Sequence, residues 1–280
     1  MPGPKDLDPS ASPRALLGAE LRHARTRAGL TQDQLGEALF VSGSYIGQME
    51  AGTRRILPEH AARLDEVLGT GSFFARNCAA CHRSRYPDHF AEAAEAEPLT
   101  ETLKEFEPTL IPGLLQTEPY ARAVFRAYRP TAEETAVDEL VAARLDRAAL
   151  LADPTRPLFW VILDEAVLHR RVGGPAVMAG ALRHMTGLAR RRRIILQLLP
   201  FSAGAHASLE GSIKLMTFPD APPLAYLQGV GSGRLEDDPA TVARHQLTFD
   251  LLRAAALAPE SSLARIEAVA EDYTYEEQQP

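Results

Sequence analysis

Apolar residues recur at helical spacing from Arg14 to Leu68. In ALLGAELRHARTRAGL, Leu17, Leu21 and Ala24 stand at i, i+4 and i+7 with arginines on the opposite side, and Gly29 ends the run. A second stripe, TQDQLGEAL, turns Leu35, Ala38 and Leu39 inward behind Thr31, a residue type suited to an N-cap. Ser42 stands in the same position ahead of SGSYIGQMEAG, where Ile46 and Met49 are apolar and Gly52 is the stop. Pro58 suits the first turn of a fourth helix, PEHAARLDEVLG. Four short helices are thus predicted between residues 14 and 69, with hardly any strand pattern.

Residues 70–97 read as one longer helix, with Phe74, Cys78 and Cys81 at i, i+4 and i+7 on one stripe. Residues 99–112 fit either a strand or a helix, with the strand preferred, and TEPYARAVFRAY and ETAVDELVAARLDRAALLA read as helices. After DPTRP the texture changes. LFWVIL, IILQLLP, SIKLMTF and LAYLQG are short aliphatic and aromatic runs bounded by Pro, Gly or Asp, which predict strands. Helices fall between the first two of these and at the end of the chain. The organisation expected is a Pro-rich flexible arm (1–13), an all-α domain (14–69), a joining helix (70–97) and a mixed α/β domain (98–275), an α+β chain overall.

Charge sharpens this picture. The 280 residues carry a net charge of −7, yet residues 1–85 hold 11 basic and 9 acidic side chains while the remainder holds 19 and 28. A polyanionic partner would be met by the first part. No run of 18 apolar residues exists, and MPGPKDLDPSASPRA has no apolar signal core, so a cytoplasmic protein with free thiols and no membrane contact is expected.

The segment RAGLTQDQLGEALFVSGSYIGQMEAGTRR carries the strongest motif. Thr31-Gln32, Leu35-Gly36, Val41-Ser42, Ile46 and Met49-Glu50-x-Gly52 resemble the helix-turn-helix of the XRE (Cro/C1-type) family. The resemblance implies a λ-repressor-like domain that places its second helix in the major groove of double-stranded DNA. Leu35, Leu39, Ile46 and Met49 would brace the two helices. Ser42 would open the reading helix, and Gly43, Ser44, Gly47 and Gln48 would face base edges, with Gln48 able to pair bidentately with adenine. Gln32 matches the family's backbone-contacting glutamine, and Tyr45, Arg54 and Arg55, with Arg25 as a weaker addition, would meet phosphates. The two glycines in the reading helix depart from the commoner pattern, leaving few direct contacts and more of the selectivity to DNA shape.

Residues 86–275 resemble the C-terminal domain of the WhiJ-like regulators of actinobacteria. The stretches that carry this include FEPTLIPGLLQTEPYARAV, FWVILDEAVLHRRVGG and QLLPFSAGAHASLEGSIKLMTFPD. The resemblance implies a regulator of development or secondary metabolism, with a small companion protein encoded nearby and an antitoxin-like character. The reading expects a homodimer that receives a protein or small-molecule signal, without cofactor, metal or catalytic residue.

Other patterns in the chain compete with this reading. Cys78-Ala-Ala-Cys81-His82 matches the haem-attachment pattern of c-type cytochromes, but without export the two thiols read as core residues of a helix, ahead of a redox pair or a metal half-site. Gly229, Gly231 and Gly233 read as a strand-connecting turn. The arginines at 190–193 read as a solvated helix end ahead of a DNA or partner contact. Asp164, Glu165, His169 and His206 could form an acid–base set, though no nucleophile motif accompanies them. Two rival functions therefore remain beside the DNA-binding regulator. One is a protein that chiefly sequesters a small partner; the other is an enzyme using Glu165 or His206.

Overall fold

The computed structural model describes Pro9 and residues 13–78, 88–152, 157–229 and 232–277. The arm expected at 1–13 lies almost wholly outside these, as do Cys81, His82 and Gly231. Twelve helices and six strands follow in chain order among the described residues: α1 (Pro13–Arg27), α2 (Gln32–Leu39), α3 (Gly43–Glu50), α4 (Pro58–Leu68), α5 (Phe73–Asn77), α6 (Asp88–Ala96), β1 (Thr102–Glu107), α7 (Glu118–Tyr128), α8 (Glu134–Ala148), β2 (Leu158–Asp164), α9 (Ala166–His169), α10 (Pro175–Arg190), β3 (Ile194–Leu199), β4 (Ser212–Thr217), β5 (Leu224–Gly229), β6 (Ser232–Glu236), α11 (Pro239–Ala255) and α12 (Pro259–Glu277). The chain forms two compact units. The first comprises residues 1–100 together with 216–226 and 234–243; the second comprises 101–215, 227–233 and 244–280.

In the first unit, α1–α4 close around Leu17, Leu21, Leu35, Ile46, Met49 and Leu64, with Phe74 and Cys78 of the following segment in the same core. The residue types that stop and start these helices act as their chemistry requires. Gly29 and Gly69 adopt left-handed backbone (φ 71° and 64°), Thr31 and Ser42 cap, and Pro58 begins α4. Helical residues stand at both ends of the predicted 70–97 helix, in α5 and α6, and its middle lies outside the described residues.

Asp65 ties α4 to α5. Its carboxylate accepts from the Thr70 hydroxyl and from the backbone N–H groups of Phe74 (3.1 Å) and Ala75 (2.8 Å). Burial pushes this carboxyl upward, but those hydrogen bonds outweigh it and hold its pKa below the ordinary value. Because the folded-state pKa is depressed, the stabilisation is present above the unfolded-state pKa and is lost as pH falls through the folded one. Asp65→Ala should therefore cost about 0.5–2 kcal/mol near neutral pH, the range for a lost helix cap. In thermal melts of both proteins, that deficit should shrink steadily once the pH drops below the usual aspartate range.

The six strands form one mixed sheet in the order β3-β2-β1-β4-β5-β6. β1 and β2 are parallel, with Phe106 opposite Ile162, and β2 and β3 are parallel, with Ile162 opposite Gln197. Parallel neighbours need long crossovers, and α7–α8 and α9–α10 supply them. Within the second unit α10 packs along α12, and both contact β3. Phe159, Ile162, Leu163, Leu198, Leu182 and Ile266 are fully buried there. Each strand predicted from aliphatic runs is present. β6 falls where the glycine pattern predicts a turn, because its SGRLE sequence lacks the apolar alternation of a half-buried strand.

Candidate nucleic-acid interface

The local sequence builds α2, the turn and α3 with little ambiguity. Thr31 and Gln34 form a reciprocal capping box: the Thr31 hydroxyl accepts from the Gln34 N–H (3.1 Å), and the Gln34 side chain accepts from the Thr31 N–H (2.8 Å). Phe40 closes α2 in a left-handed conformation, and the Val41 N–H donates back to the Gly36 carbonyl at 2.9 Å. Ser42 then caps α3 by accepting from the Tyr45 N–H at 3.0 Å. Leu35, Leu39, Ile46 and Met49 are buried between the helices as the brace requires.

The geometry of the two helices is locked by Glu50, a residue to which the sequence reading assigned no partner. Its carboxylate has no exposure and accepts from the Arg25 guanidinium and from Gln32 Nε2 at 2.9 Å, with Arg22 at 3.7 Å. Arg25 also donates to the Leu30 carbonyl at 2.7 Å. Its expected role as an auxiliary phosphate contact is corrected: it is an internal tie. Gln32 lies at the start of α2 as expected, but its amide nitrogen is turned to Glu50.

The reading face itself is not open in this conformation. Gln48 is fully buried, and neither amide atom has a hydrogen-bond partner among the described residues; the Ser44 hydroxyl is buried and unpartnered as well. The expectation that these two side chains look outward is corrected here. The two glycines acquire a reason. A Cβ at Gly43 would occupy the place of the Asp33 carboxylate, and one at Gly47 would approach Gln32 Oε1 to 3.3 Å. Two other buried glutamines make the contrast. Gln116 donates to the Ile111 carbonyl and accepts from Arg144, while Gln197 donates to the Leu257 carbonyl and accepts from Trp160. Gln48 alone among these three is unserved at both ends, which a structural amide would not be.

The expected phosphate contacts also face inward, onto carboxylates of the same unit. Arg54 lies 3.2 Å from Asp237 and 3.7 Å from Glu92, and Arg55 lies 3.3 Å from Glu92. The Ser42 hydroxyl donates to Asp237 at 3.2 Å. Tyr45 is buried beneath the Arg54 guanidinium, 3.9 Å from its ring centroid, and edge-on to His60. Burial pushes the Tyr45 phenol up to about 12; Arg54 opposes this, and Glu92 and Asp237 add to it. Arg14 pairs with Glu95 on the same helix as Glu92. Sequence reasoning missed Glu92, Glu95 and Asp237. The signal was present in AEAAEAE, where Glu92 and Glu95 stand at i, i+3, and in the acidic run Glu236–Asp238.

The other candidates occupy structural positions. Glu165 accepts from the Phe201 N–H (2.8 Å) and from Arg265 (2.9 Å), and His169 lies 4.0 Å away, stacked on Phe201. Burial pushes Glu165 up, but these partners hold its pKa below the ordinary value. His206 is 3.7 Å from Asp164 and accepts from the Ser208 N–H. Cys78 is buried and donates to the Ala75 carbonyl at 3.5 Å. In the arginine run, Arg190 chelates Glu267, and Arg193 donates to the Leu151 carbonyl. A cavity of about 340 Å³ in the second unit is lined by Leu114, Leu151, His184, Leu188, Arg191 and Arg193.

Comparison with known proteins agrees with the geometry at both ends of the chain. Residues 16–72 match the family model of a helix-turn-helix domain, and residues 90–268, more than half of the chain, match that of a domain of unknown function, DUF5753. No curated protein and no solved structure matches the chain. The first match makes α1–α4 a helix-turn-helix DNA-binding domain. Among the described residues no helix is long and apolar enough to cross a membrane.

Proposed function

We propose that this chain, which belongs to the DUF5753 family and carries a helix-turn-helix domain, is a sequence-specific transcription regulator of the XRE type. One observation carries the reading: an amide at the centre of the helix expected to enter the groove is kept where no described residue serves it. Gln48 can form two hydrogen bonds to adenine, a partner that none of the described residues offers. Ser44 adds a hydroxyl one turn earlier, and Arg54 and Arg55 supply the cations that phosphates attract.

On this reading the chain binds as a homodimer to two half-sites about one helical turn apart, and acts without catalysis. The second unit receives the controlling signal, either a small companion protein or a small molecule seated in the cavity beside His184 and Arg191. Resemblance to WhiJ-like regulators supports a role in development or secondary metabolism.

Selection of binding sequences from a random duplex pool tests this directly. The full chain should enrich a defined motif, and Gln48→Ala should relax the preference at one base position by about 1–3 kcal/mol while leaving the flanking positions unchanged. Failure to enrich any motif would remove the reading.

A further inference from the structure

We propose that Glu92 and Asp237 form an acidic latch that occupies the phosphate-binding arginines and covers the reading helix, so that the conformation described here is the DNA-silent state. The inference rests on the DNA-binding reading above and adds the manner in which that activity is held in check.

Several independent contacts converge. Glu92 comes from α6 and Asp237 from the residues between β6 and α11, yet together they engage both ends of α3. Asp237 accepts from Ser42 at the N-cap and pairs with Arg54 just past the C-terminus. Glu92 lies against both Arg54 and Arg55. A carboxylate set between a helix N-cap hydroxyl and a guanidinium presents oxygens to the same donors that a DNA phosphate would use. Phosphate and carboxylate therefore compete for one set of groups, and the two cannot be bound at once.

The latch is built to be displaced. Arg54 Nε and Nη1, Arg55 Nε and Glu92 Oε1 are buried without an aligned hydrogen bond, so these pairs hold charge near charge in poor geometry. Desolvated pairs of that kind offset little more than their own desolvation cost. The unserved amide of Gln48 and hydroxyl of Ser44 add a further cost to the covered state that exposure to duplex would relieve. α6 is meanwhile steadied by Phe90, edge-on to Tyr226 at 5.5 Å, so the acidic face is presented as one piece with the β5 segment.

The test compares the full-length chain with Glu92→Gln/Asp237→Asn, a near-isosteric change that removes both charges. Each is titrated with the duplex selected above, alone and in an Arg54→Ala/Arg55→Ala background. If a few per cent of the protein is open at equilibrium, freeing the arginines should tighten binding at least about tenfold. That gain should vanish when the arginines are absent. As a readout independent of DNA, Ser44→Cys in a Cys78→Ala/Cys81→Ala chain should react with a thiol reagent slowly, and faster by a similar factor once the carboxylates are neutralised. Equal affinity and equal labelling with and without the carboxylates would overturn the latch while leaving sequence-selective binding intact. If neither protein selects any sequence, the DNA-binding reading falls, and the latch with it.

Discussion

Arg25→Ala should cost the first unit about 3–5 kcal/mol, the penalty for stranding a buried charge. Glu50 has no exposed surface, and Arg25 is its main partner, with Gln32 contributing one N–H and Arg22 reaching only to 3.7 Å. The same substitution deletes the bond from Arg25 to the Leu30 carbonyl, which closes the α1–α2 corner. Urea unfolding of the variant should show a lower midpoint with an unchanged slope. Exchanging both members together, as Arg25→Met/Glu50→Met, should recover most of the loss, because the desolvation cost leaves with the charge. A cost below about 1 kcal/mol for the single variant would show that Glu50 is served by its other neighbours.

The second large effect concerns two glycines of opposite sign. A Cβ at Gly18 would sit 2.7 Å from the Met49 carbonyl oxygen and 2.8 Å from that of Glu50, both backbone atoms at the end of α3. Gly18→Val must push α1 and α3 apart and should destabilise by about 3 kcal/mol, the upper part of the overpacking range. Gly180 lies on the exposed face of α10, where a Cβ meets nothing, and its backbone is not left-handed. Gly180→Ala should instead stabilise by about 0.4–1 kcal/mol, through the unfolded chain it restricts. Calorimetry on the two variants and the parent separates these outcomes cleanly, since the shifts in melting temperature run in opposite directions.

Much of the fold could be read from local pattern because local pattern causes it. Thr31 with Gln34, Ser42, Pro58 and the stops at Gly29 and Gly52 act over a few residues, and so their consequences are visible over a few residues. The central strands were legible for a related reason: parallel neighbours buried on both faces require near-continuous aliphatic runs such as LFWVILD. β6 was missed since nothing buried compels its sequence. The candidate site divides the same way. The helix that should enter the groove, and the residues along it, followed from a motif. The burial of Gln48 and of the Ser44 hydroxyl did not, because the contacts that engage the ends of α3 join positions as distant as Ser42 and Asp237. Arg25 was misread for the same reason. Its helical periodicity places it with surface arginines, and only the fold brings Glu50 beneath it.

The interleaving of the chain has a consequence for the order of events during synthesis. Helices α1–α4 are complete once Leu68 has cleared the ribosome, whereas Asp237 emerges more than one hundred and fifty residues later. At ordinary elongation rates that interval is on the order of ten seconds. Nascent chains therefore pass through a period in which the amino-terminal domain can fold before its guard exists. Polysomes translating this message should therefore be retained on immobilised operator duplex more tightly than the finished protein is.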